Sequence, residues 1–181
     1  MDDPLDIKRH IRYVEDFPIQ GVKFRDITSL LENPFAFKKA CDRITDISRK
    51  FEPDLLVGIE SRGFIFSSPV ALDLKLPLIL ARKPGKLPYE SYSRRFDLEY
   101  GSTSIEVQKN SQITERDKIL IIDDLVATGG TGLACCELFF DNFRVERSHI
   151  LFVAVIDLPM LGGSQRIQEA GYGLEALVTY K

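Results

Sequence analysis

Short apolar runs alternate along the chain with longer segments of helical periodicity. The runs that predict β-strands are 55–59, 78–81, 118–122, 150–156 and 174–179. Because the apolar residues in these runs are consecutive, the strands are expected to be buried on both faces. Such strands separated by helices are typical of a parallel sheet. We therefore predict an α/β fold in which helices flank a central, mostly parallel sheet.

Helical periodicity fills the segments between those strands. A first helix is predicted where Ile7, Ile11 and Val14 share one face, with Phe17-Pro18 closing it. A longer helix is predicted to begin at Asn33-Pro34, a typical N-cap and first helical residue. Further helices are predicted over 64–74, 131–140 and 164–170. The 181 residues suit one domain, spanning 1–181.

Residues 82–103 depart from this alternation. They show no strong helical period and carry tyrosines at positions 89, 92 and 100 together with several cations. The pattern predicts an irregular hairpin that projects from the sheet. Because long excursions of this kind are often lids, we assign a flexible β-hairpin lid to about residues 83–103.

Composition argues against several classes of function. The 24 Lys and Arg against 27 Asp and Glu give a net charge of −3, which does not suit a protein that coats nucleic acid or an anionic membrane. The longest apolar run, 150–156, is seven residues long, whereas a membrane span needs roughly 20. The acidic N-terminus does not resemble a secretory signal. We therefore predict a cytoplasmic protein without nucleic-acid or membrane partners.

Cysteine and histidine usage limits the chemistry further. The three cysteines are an odd number, and Cys135 and Cys136 are adjacent, which suits neither a disulfide framework nor a CxxC metal site. The two histidines, His10 and His149, have no His or Cys neighbour at ligand spacing. A histidine-rich metal centre is thereby excluded, and a Ser-His-Asp triad is disfavoured.

The strongest chemical signal is the segment 119–131, Ile-Leu-Ile-Ile-Asp-Asp-Leu-Val-Ala-Thr-Gly-Gly-Thr. A buried strand ends in two carboxylates, turns through small residues and opens a helix, at the edge where parallel sheets bind ligands. Residues 128–131 offer glycine freedom, two hydroxyls and free helix N–H groups, which suit a phosphate dianion. Asp123 and Asp124 would repel that phosphate, so they suit sugar hydroxyls, or Mg²⁺ held through water.

Other glycine motifs fit this segment poorly. A Walker A loop needs a lysine before its final Ser or Thr, and residues 129–131 have none. A dinucleotide fingerprint starting at Gly130 needs Gly or Ala where Cys135 stands. A plain strand-to-helix turn with a solvated Asp pair is the simple alternative, and the surrounding residues make it the weaker one.

The segment 119–131 resembles the phosphoribosyl-diphosphate signature of the type I phosphoribosyltransferases. Three further stretches resemble the adenine-using members of that family: Phe17-Pro18 with 21–28, residues 60–64, and 82–88 with 98–101. The resemblance implies the fold of that family, with a small N-terminal hood at about residues 1–33. It also implies a purine-salvage reaction in which 5-phosphoribosyl diphosphate and adenine give AMP and pyrophosphate, with Mg²⁺ as cofactor, in a homodimer.

The resemblance assigns roles to residues that bind the anionic parts of the substrate. The 5′-phosphate would be bound by Ala127, Thr128, Gly129, Gly130 and Thr131, and the ribose by Asp123 and Asp124. Pyrophosphate would be bound by Glu60, Ser61, Arg62, Gly63, Arg82, Lys83 and Lys86, with a cis peptide bond between Glu60 and Ser61. One such cation at about 4 Å contributes up to roughly 4 kcal/mol at an effective dielectric near 20. Arg62 is therefore also a candidate catalytic residue.

The same resemblance assigns an adenine site and a proton-transfer group. Phe24 would supply a stacking ring, while the backbones of Lys23 and Arg25 would contact the edge of the base. Glu99, on the predicted lid, is the candidate catalytic residue that exchanges a proton with the purine.

The lid and the metal have connected roles in this interpretation. The reacting ribose carbon is oxocarbenium-like and must be kept from water, so the lid would close over it, with Tyr92 and Tyr100 sealing it. No side chain is assigned as a direct metal ligand. The Mg²⁺ ion would be held by pyrophosphate and ribose, with water linking it to Asp123 or Asp124.

Two alternatives stay open from the sequence. A transferase of the same fold acting on hypoxanthine, guanine or xanthine would need a donor facing the O6 atom of the base, whereas adenine's amine needs an acceptor. A regulator that only senses 5-phosphoribosyl diphosphate would be expected to carry a DNA-binding module or a basic face, and the sequence offers neither.

Overall fold

The computed structural model describes residues 6–98 and 101–180. The strands are β1 (Arg12–Glu15), β2 (Lys23–Asp26), β3 (Leu55–Ile59), β4 (Leu78–Ala81), β5 (Ser91–Leu98), β6 (Gly101–Gln108), β7 (Ile119–Val126), β8 (Ile150–Asp157) and β9 (Gly173–Thr179). The α-helices are α1 (Thr28–Leu31), α2 (Pro34–Phe51), α3 (Gly63–Leu74), α4 (Gly130–Phe143) and α5 (Gly163–Glu169). Short 3₁₀ helices span Ile7–His10, Arg147–His149 and Pro159–Leu161.

Five strands form one sheet in the order β4-β3-β7-β8-β9, and every neighbouring pair is parallel. All residues of β3 and β8 are buried, which explains why their apolar residues are consecutive. The predicted α/β fold with a central parallel sheet is therefore confirmed. Strand β7 lies in the middle, so its carboxyl end is enclosed by neighbours on both sides.

The sheet separates two hydrophobic layers, because successive side chains of a strand point to opposite faces. Ile119 and Ile121 of β7 pack in the layer that contains α4 and the hairpin strands. Leu120 and Ile122 pack in the layer that contains α2 and α3. The carboxyl end of β7 is thereby held between helices on both faces.

Helix α2 begins where the sequence predicts. The side-chain oxygen of Asn33 accepts hydrogen bonds from the N–H groups of Phe35 and Ala36 at 3.1 and 3.0 Å. The helix ends at Phe51, and its C-cap Glu52 adopts a left-handed conformation with φ 56°, immediately before Pro53. Among the described residues, no helix combines the length and the apolar character that crossing a membrane requires.

The prediction of a first helix through Ile7, Ile11 and Val14 is wrong. Only Ile7–His10 is helical, as one 3₁₀ turn, and Val14 lies on β1, paired with Phe24 of β2 in an antiparallel ribbon. A segment this short cannot sustain a helix by itself, whereas pairing with β2 provides backbone hydrogen bonds. The consequence is that the adenine-site candidates of β2 stand on a strand that β1 supports.

The predicted hairpin is present and is more regular than expected. Strands β5 and β6 form an antiparallel ladder in which Ser91 is paired with Gln108 and Leu98 with Gly101. The guanidinium of Arg94 forms ion pairs with Glu137 and Asp141 of α4. These contacts hold the hairpin against α4. Movement of the lid stays a prediction.

Candidate active site

The turn after β7 provides the frame of the candidate site. β7 ends at Val126, Gly129 adopts a left-handed conformation with φ 77°, and α4 begins at Gly130. The N–H of Leu133 donates to the Gly129 carbonyl at 2.8 Å, which closes the first helical turn. The N–H groups that precede it in a helix have no partner within the helix, so they are available to an anion.

A cavity of about 370 Å³ opens at this turn. Its lining includes every residue predicted to bind phosphate and ribose, 127–131 and 123–124. From neighbouring parts of the chain it includes residues 60–62 and Lys83. The structure therefore brings the predicted phosphate, ribose and part of the pyrophosphate residues into one cavity. Gly63 does not line this cavity, and it packs against β7, since a Cβ there would lie 2.5 Å from the Ile122 carbonyl oxygen.

The two acidic residues lie within β7, not after it. The strand continues through Asp123 and Asp124 to Val126, so both carboxylates are fixed by the sheet. The Oδ1 of Asp123 accepts a hydrogen bond from the Asp124 N–H at 2.8 Å. Burial, together with the neighbouring Asp124 charge, raises the pKa of Asp123 well above its ordinary value. Its ionised form is therefore costly unless a ligand stabilises it.

Arg62 covers the second carboxylate. Its Nε lies 3.0 Å from the Oδ2 of Asp124, whose side chain is 5% exposed. Burial raises the pKa of Asp124, and the Arg62 charge acts to lower it. The contact has the distance of an ion pair but not the geometry of a hydrogen bond, and in the described part of the chain this oxygen accepts none. Asp124 Oδ2 is thus an acceptor that a ligand hydroxyl can use once Arg62 moves.

Glu60 holds the start of the next loop in place. Its carboxylate lies 3.2 Å from the Nε of Arg82 and accepts the Lys83 N–H at 2.9 Å. Burial acts to raise the pKa of Glu60, but the hydrogen bonds from Lys83 and Arg82 hold it below its ordinary value. The peptide bond between Glu60 and Ser61 is cis, as predicted. A carboxylate bound in this way positions the neighbouring cations, and the role of Glu60 toward pyrophosphate stays a prediction.

Two of the predicted pyrophosphate residues lie elsewhere. Arg82 and Lys86 line a second cavity, of about 320 Å³, next to the edge strand β4. Within it the Arg82 guanidinium also donates to the Lys86 carbonyl at 3.0 Å. Consecutive residues of the loop face different cavities, since Lys83 lines the first one. The structure does not bring Arg82 or Lys86 to the phosphate turn of this chain.

The adenine-site candidates stand beside the first cavity without lining it. The guanidinium carbon of Arg62 is 5.9 Å from the centre of the Phe24 ring, which connects β2 to the cavity. Arg25 stacks on Tyr180, with its guanidinium carbon 3.8 Å from the ring centre. Lys23 is exposed. The hood thus holds Phe24 and the β2 backbone near the site through contacts with other elements.

The predicted lid residues have different positions. Tyr92 packs edge-on against Phe143 of α4, with ring centres 5.2 Å apart, and does not line the first cavity. Glu99 and Tyr100 lie outside the described residues. The sequence reasoning missed Phe96, Thr103 and Ser104, which do line the cavity. The sequence offered no clear signal for them, because Phe96 is placed opposite Thr103 only by the hairpin register.

The described residues contain no cluster of three or more His, Cys, Asp or Glu side chains suited to a metal ion. The residues present therefore fit a metal only if a ligand brings most of the coordinating oxygens. Asp123 and Asp124, at the edge of the cavity, are the carboxylates that could contact the water shell of such an ion.

A parallel sheet with an anion-binding turn and two buried acceptors at the carboxyl end of its central strand defines a site for a phosphorylated sugar. The model of the phosphoribosyl transferase domain family matches residues 26–160. The adenine phosphoribosyltransferase of Pelagibacter ubique is 43% identical over 177 residues, which are 97% of this chain and 98% of that protein. The chain therefore belongs to the phosphoribosyltransferase family, as one of its adenine phosphoribosyltransferases.

Solved structures agree with this membership. The adenine phosphoribosyltransferase of Giardia lamblia, complexed with 9-deazaadenine, has a TM-score of 0.91 and 32% identity, and the match covers 100% of this chain and 99% of that one. The Saccharomyces cerevisiae enzyme, complexed with D-2,5-dideoxy-2,5-imino-altritol 1,6-bisphosphate and adenine, has a TM-score of 0.83 and 31% identity, covering 95% and 96%. The similarity thus includes nearly the whole fold.

Proposed function

We propose that this chain transfers the 5-phosphoribosyl group from 5-phosphoribosyl diphosphate to adenine, which yields AMP and pyrophosphate in purine salvage. The observation that carries the proposal is the shared cavity, into which the turn 127–131 and the Asp123-Asp124 pair both open. The turn offers amide and hydroxyl donors for a phosphate dianion, and the acids offer acceptors for the two ribose hydroxyls.

Arg62 couples sugar binding to leaving-group binding. In the structure its guanidinium covers Asp124, so a ribose hydroxyl reaches that carboxylate only when Arg62 moves away. Pyrophosphate gains negative charge as its bond to the anomeric carbon breaks, and a displaced Arg62 can move to it. Sugar binding would thus deliver the cation to the departing group.

Lys83 and the backbone at Ser61 complete the pyrophosphate site. Both line the same cavity as the phosphate turn. Glu60 keeps this side in place through the Lys83 N–H and the Arg82 guanidinium. A Mg²⁺ ion bound by the pyrophosphate, with Asp123 or Asp124 near its water shell, would add further neutralisation of the leaving group's charge.

Adenine would stack on Phe24 and present its edge to the backbone around Lys23 and Arg25. An aromatic face needs a flat partner, and stacking on an aromatic side chain contributes about 1–3 kcal/mol per base. The relatives named above are adenine phosphoribosyltransferases, and two of them are complexed with adenine or 9-deazaadenine. They favour adenine over a 6-oxopurine, and a transferase over a sensor. Glu99 stays the proposed proton acceptor.

The proposed enzyme is a cytoplasmic homodimer. Helix α3 is apolar on more than one face, and it exposes Ile65 and Leu72, the latter to 80%. Such a face suits a second copy of the chain. In a dimer, Arg82 and Lys86 would serve the partner's site instead of their own. The free cysteines, two of them buried, are consistent with a reducing compartment.

The test is incubation of the purified chain with labelled adenine, Mg²⁺ and 5-phosphoribosyl diphosphate. AMP and pyrophosphate are expected in equal amounts, with hypoxanthine, guanine and xanthine as poor substrates in parallel reactions. Preferred use of a 6-oxopurine would contradict the adenine assignment. Binding of 5-phosphoribosyl diphosphate without turnover of any base would favour a sensor.

A further inference from the structure

The phosphate turn rests on a segment far from it in the sequence. Gly162 and Gly163 lead into α5, and the N–H of Gly163 donates to the Ala127 carbonyl at 2.9 Å. This hydrogen bond joins the first residue of α5 to the first residue of the turn 127–131. Neither Gly162 nor Gly163 lines the cavity, so the contact is made from behind the turn.

The two backbones meet without space for a side chain between them. A Cβ at Gly163 would lie 2.2 Å from the Ala127 oxygen and 2.4 Å from the Gly129 nitrogen. A Cβ at Gly129 would in turn lie 2.7 Å from the Gly163 oxygen. Real Cβ atoms do not approach backbone atoms this closely, so a larger residue at Gly163 must displace the turn or itself.

The segment behind the turn is itself held firmly. Ile167 of α5 is fully buried in the layer that contains α4. Its Cδ1 packs beside Gly132 in the first turn of α4, where an added Cβ would meet it at 3.1 Å. Ser164 is also buried, close to Asp157 at the end of β8, where it acts to lower the pKa of that carboxyl. Because α5 is anchored on two elements, a side chain added at Gly163 would displace the turn and not the helix. The turn includes the exposed Thr128, so it is less firmly packed.

We propose that Gly163 is a positioning residue for the sugar-phosphate site. By touching the backbone of Ala127 and Gly129 it sets where the amides of the turn lie, without contacting the substrate. The proposal rests on the proposed function, since it concerns the group that this turn would bind. A shift of the turn by a few tenths of an ångström would misplace several donors together, and a misplacement of 1 Å can lower a rate by about 10²-fold.

The test compares Gly163→Ala with Gly162→Ala. Gly162 has a φ of +76°, so alanine strains the backbone there, but no atom lies within 4 Å of the added Cβ. The control therefore disturbs the same segment without contact with the turn. Melting temperatures, KM values for both substrates, and the affinity for ribose 5-phosphate by calorimetry are measured for both variants and the unaltered chain.

Gly163→Ala is expected to weaken ribose 5-phosphate binding and to raise KM for 5-phosphoribosyl diphosphate by about tenfold or more, with KM for adenine nearly unchanged. Gly162→Ala is expected to lower the melting temperature while keeping both KM values. Equal sugar-phosphate affinity in Gly163→Ala and the unaltered chain, or an equal loss in both variants, would overturn the inference.

If Gly163→Ala does not fold, a second variant tests whether the segment at Gly163 positions the turn. Ile167→Val removes the methyl group beside Gly132 and costs about 0.5–1.5 kcal/mol of stability. It is expected to raise KM for 5-phosphoribosyl diphosphate several-fold, and an unchanged value would overturn the inference. If the unaltered chain does not bind ribose 5-phosphate at all, the proposed function fails. If it binds and these variants bind equally well, only the role of Gly163 fails.

Discussion

The two cavities differ in what supplies their polar groups. The first is lined by the backbone of the turn 127–131 and by carboxylates fixed within β7. The second lies beside the edge strand β4 and is lined by apolar side chains, by Gln108 and Ser111, and by two long cations, Arg82 and Lys86. The first cavity has donors that folding alone positions, while the second depends on flexible side chains.

The charges of the two cavities are also balanced differently. Arg82 of the second cavity pairs with Glu60, which lines the first, so part of the positive charge of the second cavity is neutralised within the chain. In the first, Arg62 pairs with Asp124, and a sugar hydroxyl can replace the arginine. An anion that brings its own hydroxyls therefore suits the first cavity.

The largest expected effect comes from the buried acids of the first cavity. The double change Asp123→Asn with Asp124→Asn removes both charged acceptors, and hydrogen bonds to charged groups contribute about 1.5–3 kcal/mol each. We expect kcat/KM for 5-phosphoribosyl diphosphate to fall by about a hundredfold or more. Steady-state kinetics measure it. The control is Asp42→Asn, which changes an exposed acid on α2. A double variant as active as this control would show that the carboxylates of the first cavity do not bind the substrate.

A smaller effect is expected from the lysines of the two cavities. Lys83→Ala removes a cation from the first cavity, and we expect KM for 5-phosphoribosyl diphosphate to rise about tenfold. Lys86→Ala removes one from the second cavity and is expected to have a weaker effect. Kinetics of both variants at several enzyme concentrations separate a role in the same chain from a role across a dimer. An equal rise in KM for Lys83→Ala and Lys86→Ala at all enzyme concentrations would show that the two cavities act as one site.

Phe24 tests how far the first cavity extends toward the hood. Phe24→Leu keeps an apolar side chain but removes the stacking face, so KM for adenine is expected to rise several-fold while KM for 5-phosphoribosyl diphosphate stays nearly constant. Phe35→Leu, at a ring that is 70% exposed on α2, is the matched control. Adenine kinetics unaffected by the first variant would place the base elsewhere.

The smallest expected effect concerns stability and pH. Because the pKa of Asp123 is raised in the folded chain, the folded state binds this proton more tightly than the unfolded state. The ionised carboxylate therefore lowers the free energy of unfolding, with the full penalty above its folded pKa. This penalty shrinks as the pH falls below the folded pKa and is gone below the lower pKa of the unfolded chain. Asp123→Asn should unfold at a higher temperature at neutral pH, with a difference that narrows on acidification. A less stable variant at neutral pH would contradict it.

The sequence predicted those parts of the site that are contiguous in the chain. Residues 123–131 follow one strand into one helix, so their spacing alone determines that acids and amides share an edge of the sheet. The start of α2 was predictable for the same reason, since Asn33 caps amides two and three residues away. In both cases, hydrogen bonds between residues close in the sequence leave few alternative backbone conformations.

Features that depend on distant contacts were not predictable. Val14 fits a helical face in the sequence, but pairing with β2 decides its conformation. Lys83 and Arg82 are consecutive but line different cavities, and the contacts that position them come from distant residues, Glu60 and Glu106. Gly163 carries no local signal, because its importance comes from a backbone 34 residues earlier. Register, loop direction and packing between distant segments come from tertiary structure.

A crystal structure of the chain with AMP tests the central claim most directly. The account predicts the 5′-phosphate within hydrogen-bond distance of the amides of 128–131, with the ribose hydroxyls on Asp123 and Asp124 and Arg62 displaced from the Asp124 carboxylate. Nucleotide bound instead in the cavity of Arg82 and Lys86, with the turn empty and the Arg62–Asp124 pair intact, would contradict it.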